Sequence, residues 1–388
     1  MSPNVYILLT ILGILTVFQI EVKETQFLRR DKGRILNSIV GLIMIEAIFA
    51  FLSIHLGELP PAFRGFHILA YALEYIIAPI VPLGFIMLID KHGVSKFEKA
   101  LIIGILVVNT SIEVLSCIFP VVFFVDENNV SHRGDFEAIY IICYFISVVI
   151  LMFHLWRFAV QSQNDTYYTL TALCVFLLIG YGMKVYVPKL ITDWLITTLG
   201  FFIYIMYYCS IVLKLDSLTN LLNKRCYENK LRDIEYNTCV IIIDCNRFKS
   251  INDTYGHQHG DYALRLIADC IMKVYSKYCF CFRIGGDEFA VIFKKGKLEQ
   301  LAKHEKKFDW YANIEDLTVK LDETIANLSS EYPMLSNGVS QGFGFFYYSP
   351  NGLSTDYSEE TVTIDEVVKI ADSRMYEQKK MKHDLESQ

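Results

Sequence analysis

The chain has 388 residues and a formal net charge of −6, with 53% hydrophobic and 20% charged residues. Ordinary soluble domains are about 45–50% apolar and about 25% charged, so part of this chain belongs in lipid. The acidic balance and the lack of a basic-aromatic stripe argue against a nucleic-acid partner, and the ten cysteines show no C-x-x-C spacing, which reads as core filling instead of metal ligation.

In chain order, the apolar excess falls into seven stretches at 4–21, 35–56, 67–89, 100–123, 137–156, 168–187 and 193–213. Each is about long enough to cross a hydrocarbon core. The first is too long, and its amino flank too poor in positive charge, for a cleaved signal peptide. Lys23, Arg29, Arg30, Lys32 and Arg34 crowd the first loop and Lys91, Lys96 and Lys99 the third, against only Arg64 and Arg133 in the second and fourth. Basic loops face the cytoplasm, so the expected topology puts the N-terminus outside and the C-terminal half inside the cell membrane. Within the spans, Glu46, Glu74 and Glu113 are costly enough to be candidates for a ligand or signal site, with Lys184 as a partner for Glu74. Pro79 and Pro82 predict a kink in the third span. The expected division is a transmembrane sensor region at 1–213 and a soluble domain at 214–388, with the last span running almost directly into the latter.

Beyond Asp216 the composition is that of a soluble α/β domain. Residues 218–225 read as a turn entering a helix that ends near Tyr236, and 239–243 is a continuous β-branched run typical of a strand buried on both faces. Asp244 closes that strand. Asn252, Asp253 and Gly256 punctuate an expected loop, and apolar residues recur at helical spacing from about Gly260. A hairpin follows, with Gly285, Gly286, Asp287 and Glu288 at its turn. A charged helical stretch at 297–329, a strand at 338–348 and a last helix at 364–382 complete an α/β sandwich around a central mixed or antiparallel sheet flanked by helices. A strand-end acid and a turn acid that fold together would make a two-carboxylate metal site beside a glycine surface fit for phosphates, which is the chemistry of nucleotidyl transfer.

Four stretches occur in order: Asp216-Ser-Leu-Thr-Asn-Leu-Leu-Asn-Lys-Arg225, Asp244-Cys-Asn-Arg-Phe-Lys-Ser-Ile-Asn-Asp253, Gly256-His-x-x-Gly-Asp261 and Arg283-x-Gly-Gly-Asp-Glu-Phe289. Together they resemble the GGDEF family of diguanylate cyclases over about 210–384. The resemblance implies condensation of two GTP molecules into cyclic di-GMP and two pyrophosphates, in a homodimer whose subunits each hold one GTP. It also implies Mg²⁺, with Mn²⁺ as an alternative, on Asp244, Asp287 and the backbone carbonyl of Cys245. Asp287 is the implied proton acceptor, with Glu288 assisting. Asn252 and Asp261 are the implied readers of the guanine edge; a helix N-cap beside Gly260 is the alternative for Asp261, and the two roles are compatible. His257 either touches the nucleotide or holds its loop. Lys249 and Lys379 match the phosphate-contacting lysines, and Lys379 could instead face solvent. Arg283 is expected to pair structurally.

Three departures from the pattern stand out. Asn246 occupies the usual place of a second aspartate, and Lys382-His383-Asp384 replaces a closing Gly-Arg-Asn, so that His383 stands where a phosphate-binding arginine would be. Ser276-Lys-Tyr-Cys279 stands where the product-inhibition site needs Arg-x-x-Asp, which predicts no tight feedback inhibition of that kind. The expected protein is therefore a membrane-bound cyclase under an unidentified small-molecule or membrane signal, the alternative being a catalytically silent GTP receptor.

Overall fold

A computed structural model describes residues 3–24, 30–89, 95–163, 192–302, 310–348 and 361–386, with isolated positions at 172, 175, 176, 179, 354 and 355. The chain divides into two compact units, Met1–Cys209 and Ser210–Gln388.

The first unit is helical: α1 Pro3–Glu24, α2 Arg30–Leu56, α3 Arg64–Ile77, α4 Ile80–Ile89, α5 Lys96–Ser116 and α6 Glu137–Gln161, followed by α7 Thr192–Val212. Among the described residues, five stretches are long and apolar enough to cross a membrane: Asn4–Glu21, Lys32–Leu56, Pro61–Leu88, Lys96–Ser116 and Glu137–Val160. The expected span at 168–187 falls almost wholly outside the described residues, as does Lys184. For the span at 193–213, α7 covers nearly the expected residues, Thr192–Val212, with its apolar part at Thr198–Val212. The kink expected in the third span is the break between α3 and α4 at Ala78 and Pro79, because proline has no N–H to give to the helix ladder.

The fourth span corrects the expectation of a helix through 123. It ends at Ser116, whose Oγ accepts a hydrogen bond from Val122 N at 3.0 Å, and the chain turns into a hairpin of β1 Phe123–Val125 with β2 Ser131–Arg133. Asn129 holds this hairpin down from a left-handed position at φ 66°. Its side-chain amide donates to Leu56 O at 2.6 Å and Leu59 O at 2.9 Å, and its Oδ1 pairs with His67 Nδ1 at 3.0 Å. Of the three acids within the apolar stretches, Glu74 accepts from Ser53 Oγ at 2.8 Å, Glu46 is buried, and Glu113 is buried with both carboxylate oxygens lacking hydrogen bonds.

In the second unit the order is α8 Lys224–Arg232, β3 Thr238–Cys245, α9 Phe248–Tyr255, α10 His257–Tyr275, β4 Cys279–Arg283, β5 Glu288–Phe293, α11 Lys297–Ala302, α12 Trp310–Ser329, β6 Val339–Phe346 and α13 Ile364–Glu386. The main sheet has the order β4-β5-β3-β6, and all three pairings are antiparallel. Of the two arrangements expected from sequence, mixed or antiparallel, the sheet has the second. A continuous β-branched run says only that a strand is covered on both faces, and β3 is covered because helices lie on each side. Ile241 and Ile243 pack with Leu264, Ile267, Ile271 and Leu321 from α10 and α12 on one face. Val240 and Ile242 pack with Tyr227, Val367, Ala371 and Met375 from α8 and α13 on the other.

Two further expectations change. Residues 248–255 are helical where a loop was expected, and α10 starts at His257, three residues before Gly260. Gly256, at φ 84°, separates the two helices in a conformation other residues resist. At the sheet edge, glycine is required for contact: a Cβ on Gly342 would lie 2.1 Å from Met375 N, and one on Gly344 2.6 Å from Val367 O. These two positions let α13 rest directly on β6.

Candidate active site

Asp244 sits one residue before the end of β3, and antiparallel pairing sets it opposite Glu288 at the start of β5. Cys245 N donates to Asp287 O at 3.1 Å, so the strand end and the hairpin tip are stitched together. At the tip, the amides of Ile284 and Gly285 both donate to Glu288 O, at 3.0 and 3.2 Å. A Cβ on Gly285 would press against the Glu288 side chain, whereas one on Gly286 would meet nothing within 4 Å. The Gly286 surface is thus open to an approaching phosphate chain.

A second layer holds the hairpin. Arg283 donates through Nη1 to Asp216 Oδ1 at 3.0 Å and through Nη2 to Gly286 O at 2.7 Å. Asp216 Oδ1 also accepts from Thr219 N at 2.9 Å and Thr219 Oγ1 at 2.7 Å. Burial alone would raise the Asp216 carboxyl, but the hydrogen bonds from Thr219 and the Arg283 guanidinium outweigh it and hold the group below the usual carboxylate range. Arg283 has the structural role expected of it. Sequence reading gave Asp216 no such part; its pairing spans 67 residues and leaves no local signal.

Asp244 is 5% exposed, and Lys379 Nζ from α13 donates to its Oδ1 at 2.6 Å. Burial pushes the Asp244 carboxyl above its ordinary value, Lys379 opposes this, and the nearby Asp287 and Asp372 charges add to it. Glu288, exposed as a residue but with its carboxyl partly desolvated at the hairpin, is likewise raised, first by that desolvation and then by Asp244, Asp287 and Asp372. Asp372 is a fourth acid on this field, beside Asp244, Asp287 and Glu288, that sequence reading left unassigned. Its signal was the seven-residue spacing to Lys379, two turns along one helix face. Without a nucleotide the lysine is the counter-charge for the acidic cluster and does not face solvent alone.

The donor set suits a hard divalent cation. Burial raises the Cys245 thiol to about 12, which keeps it protonated and leaves the backbone carbonyl as that residue's donor. Among the described residues no group of three or more His, Cys, Asp or Glu could hold a metal. Two carboxylates and a carbonyl instead fit an ion such as Mg²⁺, which completes its shell with phosphate oxygens and water.

Asn252 lies in α9 and Asp261 inside α10, the latter exposed. The N-cap of α10 is Gly256, so the N-cap reading of Asp261 is corrected. Gly260 is buried against Asn252, where a Cβ would come 2.0 Å from its Oδ1, so the two helices bring the candidate base readers to neighbouring positions. His257 is the first residue of α10 and is exposed, as is Lys249 on α9. Asn246 donates to Asn337 O at 2.9 Å and accepts from Ser340 Oγ at 2.7 Å, ties that an ionised aspartate could make only in part. His383 lies exposed near the end of α13.

Residues 213–341 match the family described as "Diguanylate cyclase, GGDEF domain". Signaling protein YkoW of Bacillus subtilis (strain 168) is 42% identical over 84 residues, 20% of this chain and 10% of that protein. Diguanylate cyclase DgcZ of Escherichia coli (strain K12) is 35% identical over 102 residues, 25% of this chain and 34% of that protein. The chain therefore spans only a tenth to a third of the length of these curated relatives. Among solved structures, the GGDEF domain of DgcB from Caulobacter crescentus, in complex with cyclic di-GMP, is 27% identical. That match covers 43% of this chain and 90% of that one, at a TM-score of 0.31.

Proposed function

We propose that this chain, whose residues 213–341 are a GGDEF domain, is a membrane-bound diguanylate cyclase: it condenses two GTP into cyclic di-GMP with release of two pyrophosphates. The observation that carries the reading is the union of strand end and hairpin tip, with Asp244 opposite Glu288 and Cys245 N bonded to Asp287 O. Asp244, Asp287 and the Cys245 carbonyl would hold Mg²⁺ or Mn²⁺. Bound there, the ion would screen the triphosphate and lower the pKa of the attacking 3′-hydroxyl. Asp287 accepts that proton, and Glu288, beside it, would assist at a second metal ion. The uncovered backbone at Gly286 lets the phosphates lie close, and Lys249 and Lys379 draw them in as point charges. Asn252 and Asp261 take the guanine edge; adenine would leave the carboxylate without its donor pair.

Each domain holds one GTP, so turnover requires two domains face to face, and dimer geometry is the natural point of control by a signal read in the N-terminal unit. The five stretches among the described residues that are long and apolar enough to cross a bilayer support a membrane location. The basic loops around 23–34 and 91–99 support a C-terminal unit on the cytoplasmic side, where GTP is abundant. Full-length protein in lipid nanodiscs with GTP and Mg²⁺ should yield cyclic di-GMP and pyrophosphate in a 1:2 ratio by chromatography. GTP binding without any product would favour a silent nucleotide receptor.

A further inference from the structure

β6 is an edge strand, and an edge presents a row of backbone groups that need partners. Among the described residues no further strand supplies them. Arg374 Nη1 donates to Phe343 O at 2.7 Å, Gln378 Oε1 accepts from Gln341 N at 2.6 Å, and Lys382 Nζ donates to Val339 O at 2.6 Å. Helix residues four apart thus meet strand residues two apart, in opposite directions. The spacings agree: four helical residues advance about 6 Å, and two strand residues about 6.6–6.8 Å.

The bottom rung is doubly fastened. Lys382 also reaches Asp322 Oδ2 on α12 at 3.4 Å, and Asp322 Oδ1 accepts from Gln341 Nε2 at 3.2 Å. Gln341, almost fully buried, donates further to Thr318 O at 2.9 Å and accepts from Tyr275 OH at 2.8 Å. Lys382 stands where the GGDEF pattern closes with glycine, so this chain has a rung there that a glycine could not form.

We propose that Arg374, Gln378 and Lys382 are positioning residues that fix the register of α13 on the edge of β6 and thereby set Lys379 on Asp244. Lys379 follows Gln378 directly, between the second and third rungs, so its place along the sheet is set from both sides. A slip of one helical turn would carry it about 5.4 Å away from the carboxylate. The inference deepens the cyclase reading and rests on it for the meaning of Lys379.

The test is a mutant cycle on the full-length protein in nanodiscs, read as GTP affinity by calorimetry and as KM and kcat. Gln378→Leu with Lys382→Met should weaken GTP affinity and raise KM about tenfold, close to the effect of Lys379→Met alone. Added to Lys379→Met, the pair should weaken binding no further, because the group it positions is gone. Lys382→Arg, which keeps a donor, should recover most of the loss, and a melting curve monitors folding throughout. Additive losses, unchanged affinity in the double variant, or no recovery with arginine would overturn the proposal. If the wild type binds GTP but makes no product, the cyclase reading falls while the affinity cycle still decides this inference. If no GTP is bound, both fall.

Discussion

Asp287→Ala should lower turnover on the order of 10³-fold or more, while the fold stays intact. The carboxylate has two duties on this account, one as a ligand to the ion and one as acceptor of the 3′-hydroxyl proton; removal of a positioned acid or base alone typically costs about 10²–10⁴-fold. No packing is lost, because Asp287 lies at a partly exposed hairpin tip whose tie to β3 is its backbone carbonyl. Glu288→Gln should cost markedly less. Its side chain is exposed and its backbone carbonyl, which takes the Ile284 and Gly285 amides, is untouched. The check is initial rate of product formation at saturating GTP, alongside the melting temperature. Equal losses in the two variants, or retained turnover in Asp287→Ala, would remove Asp287 from the proposed role.

Gly342→Ala should have the largest effect on stability in the C-terminal unit. The added Cβ would lie 2.1 Å from Met375 N, 2.2 Å from Ala371 O and 2.8 Å from Arg374 C, all backbone atoms of α13 that no rotamer change can move. Relief requires the helix to shift, at about 3 kcal/mol or more, which corresponds to a fall of roughly 6–12 °C in melting temperature for a unit of this size. Gly286→Ala is the contrast: its Cβ meets nothing within 4 Å, so stability should change by less than about 0.5 kcal/mol. Proteolysis of the C-terminal unit at increasing temperature separates the two. A Gly342→Ala chain that melts with the wild type would mean that α13 does not rest on β6 as described.

Much of the site was legible because its signals are local. The β-branched run before Asp244 marks a buried strand, and two glycines followed by two acids mark a hairpin tip. The chain direction of neighbouring strands was not legible, since burial on both faces of β3 leaves the same pattern whether its partners run parallel or antiparallel. Nor was the helix at 248–255. Asn252, Asp253 and Gly256 are loop formers by propensity, yet the left-handed Gly256 lets two helices abut there. The end of the fourth helix at Ser116 was hidden inside an apolar stretch running to 123 that length alone assigns to a crossing. Arg374, Gln378 and Lys382 look like a solvated helix face. Only the sheet edge, more than thirty residues away in sequence, gives them partners.

The central claim is that Asp244 and Asp287 serve one ion, and electron paramagnetic resonance of bound Mn²⁺ tests it most directly. With the uncleavable analogue guanosine 5′-(α,β-methylene)triphosphate present, the wild type should bind Mn²⁺ tightly, and Asp244→Asn and Asp287→Asn should each weaken that binding by a similar, large factor. Tight Mn²⁺ binding that survives either substitution unchanged would contradict the account.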